Sequence, residues 1–180
     1  MLILASQSPR RRELMKFITE DFCVKSAEVD ETLSDNISPE NAVLYLSKIK
    51  AEPFRNESDT VIGADTVVAI DGRILGKPNG ENEAIAMLKL LSGREHSVFT
   101  GVTIIRGNRE KSFFSETRVK FYELSEKMIS DYIKSGEPFD KAGAYGIQGF
   151  GCLLVEKIDG DYFNVVGLPI SELYRAMLDF

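Results

Sequence analysis

Apolar positions in this chain switch between short unbroken runs and stripes spaced three and four apart, so strands and helices are interleaved. Leu2 to Ala5 is an apolar run and predicts a strand. Ser8 and Pro9 then make a helix start, with serine as the cap and proline on the first turn, and the helix should run to about Phe17. Phe22 to Ser26 reads as a strand and Glu28 to Ser38 as a polar loop. Ser38-Pro39 repeats the cap-and-proline start. Ala42, Val43, Leu46 and Ile49 fall at helical spacing and carry that helix to about Glu52. Thr60 to Ile70 is nearly all apolar, and Asp71-Gly72 is a type I′ hairpin signal leading into Arg73 to Leu75.

The second half continues the mixture. Asn82 to Leu91 predicts a helix with Ala84, Ile85, Leu88 and Leu91 inward, stopped by Gly93. Ser97 to Ile105 and Lys111 to Tyr122 predict a hairpin about Arg106-Gly107-Asn108. Ser125 caps a helix to Ser135, which Gly136 ends. Gly143 to Gly151 is glycine-rich. Leu153 to Ile158 and Tyr162 to Val166 predict a third hairpin about Asp159-Gly160. A last helix starts at Pro169 or Ser171 and uses Leu173, Ala176 and Met177. Three hairpins interrupt any strict βαβ alternation, so the expected class is α/β or α+β with a mixed sheet.

Composition sharpens this. The chain has 180 residues, 43% hydrophobic and 28% charged, which suits one soluble domain over 1–180 with an ordinary core. No linker or internal repeat divides it. Lys plus Arg is 22 and Asp plus Glu is 28, a net charge of −6 that argues against a nucleic-acid binder needing a basic face. A few clustered cations can still serve a small anion. No apolar run reaches the ~20 residues of a membrane span. The N-terminal order, MLILA before SPRRR, is the reverse of a secretory signal. Cys23 and Cys152 are the only cysteines, in no CxxC pair, which fits free thiols in a reducing cytoplasm. His96 is the only histidine, so HExxH metal chemistry is out.

Four segments carry candidate chemistry. In the first, a strand, a Ser-Gln-Ser turn and a helix start bearing Arg10 and Arg11 read as a phosphate cradle. The same residues also read as a capped surface helix with a solvated basic face. In the second, Asp65 sits inside an apolar strand. A carboxylate there needs a pair, a hydrogen bond or a metal, and it suits either a catalytic base or a turn cap through Thr66. Asp30-Glu31 offers further carboxylate in a loop. In the third, Lys77 lies between Gly76 and Pro78, whereas Lys50 alone reads as an exposed helical lysine. The last is the glycine-rich stretch. It is no dinucleotide fingerprint, but it holds Gln148, whose amide can donate and accept toward a base edge, and the same stretch also suits a plain connector. No P-loop is present.

Taken in order, these pieces resemble the Maf family of nucleoside triphosphate pyrophosphatases. The likeness runs through Ser6-Gln7-Ser8-Pro9-Arg10-Arg11, Val29-Asp30-Glu31, Lys50-Ala51, Gly63-Ala64-Asp65-Thr66 and Lys77-Pro78. It continues in the unbroken stretch Asp140 to Gly149 and in Val166-Gly167-Leu168-Pro169. The Asp140–Gly149 stretch is similar to the branch that acts on dTTP and UTP. The resemblance implies an ITPase-like fold, an elongated mixed sheet with flanking helices in two lobes about a cleft. It implies cleavage of a nucleoside triphosphate between the α- and β-phosphates, a divalent cation such as Mg²⁺ or Mn²⁺, and often a homodimer. Asp65 matches the family's catalytic base. Arg10, Thr66 and Gln148 match residues tied to substrate choice. Ser8, Arg11, Glu31, Lys50 and Lys77 match the phosphate and metal site, with Glu31 and Asp65 as the candidate metal ligands. The alternatives are the same chemistry on 7-methyl-GTP or another non-standard nucleotide, and a nucleotide-binding regulator of septum formation with little turnover.

Overall fold

Three helices begin by one device. In the computed structural model, which describes residues 1–180, the hydroxyl of Ser8 accepts from the Arg11 amide, that of Ser38 from Asn41 and that of Ser125 from Met128. Each hydroxyl satisfies one amide that the first helical turn leaves open. These are α1 (Pro9–Met15), α2 (Pro39–Ala51) and α4 (Glu126–Lys134); α3 spans Glu81–Leu91. Two further helices follow, α5 (Tyr162–Val166) and α6 (Ile170–Leu178).

The strands are β1 (Leu2–Ala5), β2 (Cys23–Lys25), β3 (Thr60–Ile70), β4 (Arg73–Leu75), β5 (Glu95–Arg106), β6 (Arg109–Phe121) and β7 (Val155–Asp159). They form one seven-stranded sheet in the order β2-β1-β3-β5-β6-β7, with β4 paired to β3 off that path. β1 runs parallel to β2 and β3, whereas β4 is antiparallel to β3 and β7 to β6. The sheet is therefore mixed, as the interrupted βαβ pattern required. Asp71 and Gly72 both take positive φ, 52° and 73°, which is the backbone of a type I′ turn between β3 and β4.

The chain gathers into two compact units, neither a continuous stretch. The first holds Met1–Thr66, Thr100–Ser115 and Gly167–Phe180, and the second holds Val67–Phe99 and Glu116–Val166. In the first unit Ile3, Ala5, Ala51, Val61 and Ile105 form one buried cluster, and Leu4, Met15, Ile62 and Leu173 are fully buried as well. In the second, Leu88, Leu91, Phe121 and Ile133 pack with Tyr132 and Tyr145. No helix is long and apolar enough to cross a membrane.

One expected hairpin is absent. Tyr162 to Val166 is a helix, not the return strand after Asp159-Gly160, and β7 pairs with β6 instead. A type I′ turn needs positive φ at both central residues, and only Gly160 has it. Asp161 instead accepts from the Phe163 amide and starts a helical turn. Asn164 is buried and donates to the Val98 carbonyl and to Thr117 Oγ1, both at 3.0 Å. Those tertiary bonds override the β-propensity of Tyr, Phe and Val.

Candidate functional site

The register of β1 on β3 places Ala5 opposite Gly63. The Ser6-Gln7-Ser8 turn therefore leaves β1 beside Ala64, Asp65 and Thr66. Gly63 matters for a second reason. A Cβ there would stand 2.1 Å from the Ser47 carbonyl oxygen and 2.9 Å from the Ala51 Cβ. Gly101 on β5 is equally close, its Cβ position 2.2 Å from the Val43 carbonyl oxygen. Two glycines thus let α2 lie flush on the sheet, which explains the glycine inside an apolar strand.

That close approach builds the charged centre. Lys50 and Ala51 are on the last turn of α2, and Asp65 lies two residues beyond Gly63 on the same face of β3. Lys50 Nζ donates to Asp65 Oδ1 and also pairs with Glu31 Oε1 at 3.1 Å. The Asp65 side chain is 13% exposed and that of Lys50 20%, against 54% for Glu31. Asp65 therefore does not cap a turn, and Lys50 is not the free surface lysine its helix position suggested. Both need the other: a mostly buried carboxylate without its cation costs several kcal/mol.

Thr66 follows Asp65 and by strand alternation points to the other face. Its partners are different. Arg11 is buried, and its guanidinium spans the whole region: Nε donates to the Gly167 carbonyl at 2.7 Å, and one terminal nitrogen donates to Ala64 O at 2.9 Å and Ser6 Oγ at 3.3 Å. The other terminal nitrogen donates to Thr66 Oγ1 at 2.9 Å. Four of the five N–H groups of Arg11 are thus used within the protein. Burial lowers the proton affinity of the guanidinium, and the nearby Asp65 charge opposes that shift. Thr66 Oγ1 is in turn shared with Thr100 Oγ1 at 2.9 Å. Ser8 is occupied as the α1 cap, and Arg10 is half-buried on the same turn. With α1 only seven residues long, the cations of this turn matter more than its dipole.

Lys77 and Gln148 belong to the second unit. Lys77 is exposed in the loop between β4 and α3. Gln148 is exposed in the glycine-rich segment. The two loops are joined directly, the Gly143 amide donating to the Gly76 carbonyl at 3.0 Å. Gly143 has φ 67°, and a Cβ there would meet the Val68 side chain at 3.0 Å, so no larger residue fits.

Asp65 and Glu31 are the carboxylates available to a divalent ion. They already converge on one positive group, and carboxylate oxygen is the donor Mg²⁺ and Mn²⁺ favour. No group of three or more His, Cys, Asp and Glu gathers anywhere in the chain, so an ion here would draw its remaining ligands from water and substrate oxygens.

The partners that surround Arg11 carried no local signal of that role. Ser6, Thr100 and the Gly167 carbonyl complete the cage of Arg11, yet they lie 5 to 156 positions from it in sequence. The Ser6-Gln7-Ser8 turn and the Gly167-Leu168-Pro169 motif pointed to two of them, and nothing pointed to Thr100.

The Maf-like protein family matches residues 1–180. A dTTP/UTP pyrophosphatase from Carboxydothermus hydrogenoformans is 52% identical over 183 positions, covering 99% of this chain and 98% of that protein. One from Bacillus pumilus is 50% identical, covering 99% and 96%, and one from Geobacillus sp. is 51% identical, covering 98% and 96%. Among solved structures, a HAM1 protein from Coxiella burnetii superposes with a TM-score of 0.56 over 99% of this chain and 98% of its own. At 14% identity that likeness concerns the fold alone. Matched from its first residue to its last and about half identical to these relatives, this chain belongs to the Maf-like protein family.

Proposed function

We propose that this protein hydrolyses dTTP and UTP to the nucleoside monophosphate and pyrophosphate. The observation that carries the reading is the convergence of the Asp65 and Glu31 carboxylates on Lys50, in a chain about half identical to proteins named dTTP/UTP pyrophosphatase. The reaction needs a water activated beside the α-phosphorus and a neutralised triphosphate tail. Lys50 occupies Oδ1 of Asp65, which leaves Oδ2 to orient a water and take its proton. Arg10, Lys50, Lys77 and the Ser8 hydroxyl are the groups proposed for phosphate oxygens. Arg11, with one N–H to spare, contributes at most one such bond and chiefly holds Thr66 and the Ala64 carbonyl in place.

A divalent cation, Mg²⁺ or Mn²⁺, is part of the proposal, with Asp65 and Glu31 as its protein ligands. When bound it would supply positive charge to the phosphate oxygens during attack. Gln148 is proposed to read the pyrimidine, whose ring offers both carbonyl acceptors and an N–H donor. A base that leaves this amide unpaired is disfavoured by the cost of an unmet polar group. Thr66, its hydroxyl engaged by Arg11 and Thr100, is proposed to act on selectivity through that network.

The test is a panel of nucleoside triphosphates, assayed for pyrophosphate with Mg²⁺ and with the ion chelated. UTP and dTTP should turn over fastest, and chelation should stop the reaction. Preference for a purine triphosphate, or tight UTP binding without product, would overturn the reading.

A further inference from the structure

The glycine-rich segment is held more firmly than a connector requires. Glu137, in the helical turn after α4, sets its carboxylate on two successive amides. Oε1 accepts from Phe150 N–H at 3.0 Å and Oε2 from Gly151 N–H at 3.3 Å. A Cβ on Gly149 would lie 2.3 Å from Glu137 Oε1, so only glycine admits the carboxylate. On the other side of Gln148, the Gly146 amide donates to the Tyr132 hydroxyl at 3.1 Å. The Tyr145 hydroxyl meets His96 Nε2 at 2.7 Å, deep among Phe121 and its neighbours. The two flanks also touch: a Cβ on Gly151 would stand 1.9 Å from the Gly146 carbonyl oxygen. Ala144 takes a left-handed φ of 59°, which an L-residue adopts only when its surroundings impose it. Gln148 is exposed and lies between the held points, Gly146 on one side and Phe150 and Gly151 on the other.

We infer that Glu137, with Tyr132, is a positioning residue for base selection. The pair holds the backbone on both sides of Gln148, so the amide meets a nucleobase from a preset direction. This rests on Gln148 being the base contact. Discrimination by a polar side chain depends on donor and acceptor being in place before the base arrives, because a loop that must be ordered on binding spends binding energy doing so. A carboxylate with both oxygens on the amides two and three residues beyond one exposed glutamine supplies that order. Glu137→Gln keeps the shape but turns one acceptor oxygen into an NH₂ facing an amide N–H.

Steady-state kinetics with UTP and with GTP test this on the wild type, Glu137→Gln, Tyr132→Phe, Gln148→Ala and the Glu137→Gln/Gln148→Ala double variant. Glu137→Gln should raise KM for UTP about tenfold and shrink the UTP-over-GTP preference by a similar factor, with kcat on UTP within about threefold. Tyr132→Phe should move both in the same direction by less. In the double variant the preference should equal that of Gln148→Ala alone, because Glu137 acts through Gln148. If Gln148→Ala keeps the full preference, the base-contact reading falls and the inference with it. If Gln148→Ala loses the preference but Glu137→Gln keeps wild-type KM and preference, the base contact stands and the inference alone is overturned. A further loss from Glu137→Gln on the Gln148→Ala background overturns it too. Should Glu137→Gln fail to fold, Tyr132→Phe alone and combined with Gln148→Ala decides by the same criteria.

Discussion

Lys50 and Asp65 are 15 residues apart in sequence, and the ammonium of one donates to Oδ1 of the other where α2 meets β3. That bond neutralises a mostly buried carboxylate and leaves its second oxygen for chemistry. Asp65→Asn keeps the shape and removes the proposed base. It should lower kcat on UTP by about 10²–10⁴-fold with KM changed little. Pyrophosphate release near the wild-type rate would remove Asp65 from the role. Lys50→Met strands Asp65 instead, and should lower both activity and stability, the latter by about 3 kcal/mol.

Gly63 decides whether that pair can form. Gly63→Ala puts a methyl 2.1 Å from the Ser47 carbonyl oxygen, so α2 must move off β3. We expect a loss of about 1–3 kcal/mol in denaturant unfolding, together with a kcat deficit. A variant that loses stability but keeps full kcat would show that the Lys50–Asp65 contact is not needed for turnover.

Arg11 has an organising role that precedes any substrate. Lysine cannot reach the Gly167 and Ala64 carbonyls, Ser6 and Thr66 together, so Arg11→Lys leaves buried acceptors unmet. The protein without nucleotide should lose about 3 kcal/mol, which lowers Tm by roughly 6–12 °C at this chain length. A purely phosphate-binding arginine would leave the Tm of the free protein unchanged.

Parts of this were open to reading from the sequence, and parts were not. The caps Ser8, Ser38 and Ser125 and the Asp71-Gly72 turn are local devices, fixed by neighbours within four residues, and each stands where its residues indicate. The strand expected from Tyr162 to Val166 fails because Asn164 bonds to Val98 and Thr117, 66 and 47 positions away. The Asp65 carboxylate stood out as costly inside an apolar run, but its partner did not. Lys50 becomes special only once two glycines bring α2 onto the sheet. The Glu137 clamp was hidden for the same reason: its amides lie 13 and 14 residues downstream.

The buried histidine sets an acid limit on stability. Burial pulls His96 down to about 4 from 6.5, a backbone interaction with Arg94 opposing. The Tyr145 hydroxyl that faces it is pushed up by burial and stays protonated throughout. Between these two values the unfolded chain binds the proton and the folded one does not. The stabilisation is therefore complete above pH 6.5 and is lost as pH falls toward 4, by about 3 kcal/mol in all. Denaturant unfolding at pH 6.5, 5.5 and 4.5 measures that slope. His96→Gln keeps a polar partner for Tyr145 without titrating, and should flatten it. An unchanged slope in the variant would place the acid sensitivity elsewhere.

In the proposed reaction water attacks the α-phosphorus of a pyrimidine nucleoside triphosphate, with Asp65 as its base. Turnover of UTP in ¹⁸O-labelled water, with the products resolved by mass, tests it most directly. The prediction is UMP carrying one labelled oxygen and unlabelled pyrophosphate, with neither formed by Asp65→Asn above a small residue. Label in the pyrophosphate, or UDP and orthophosphate as products, would contradict it.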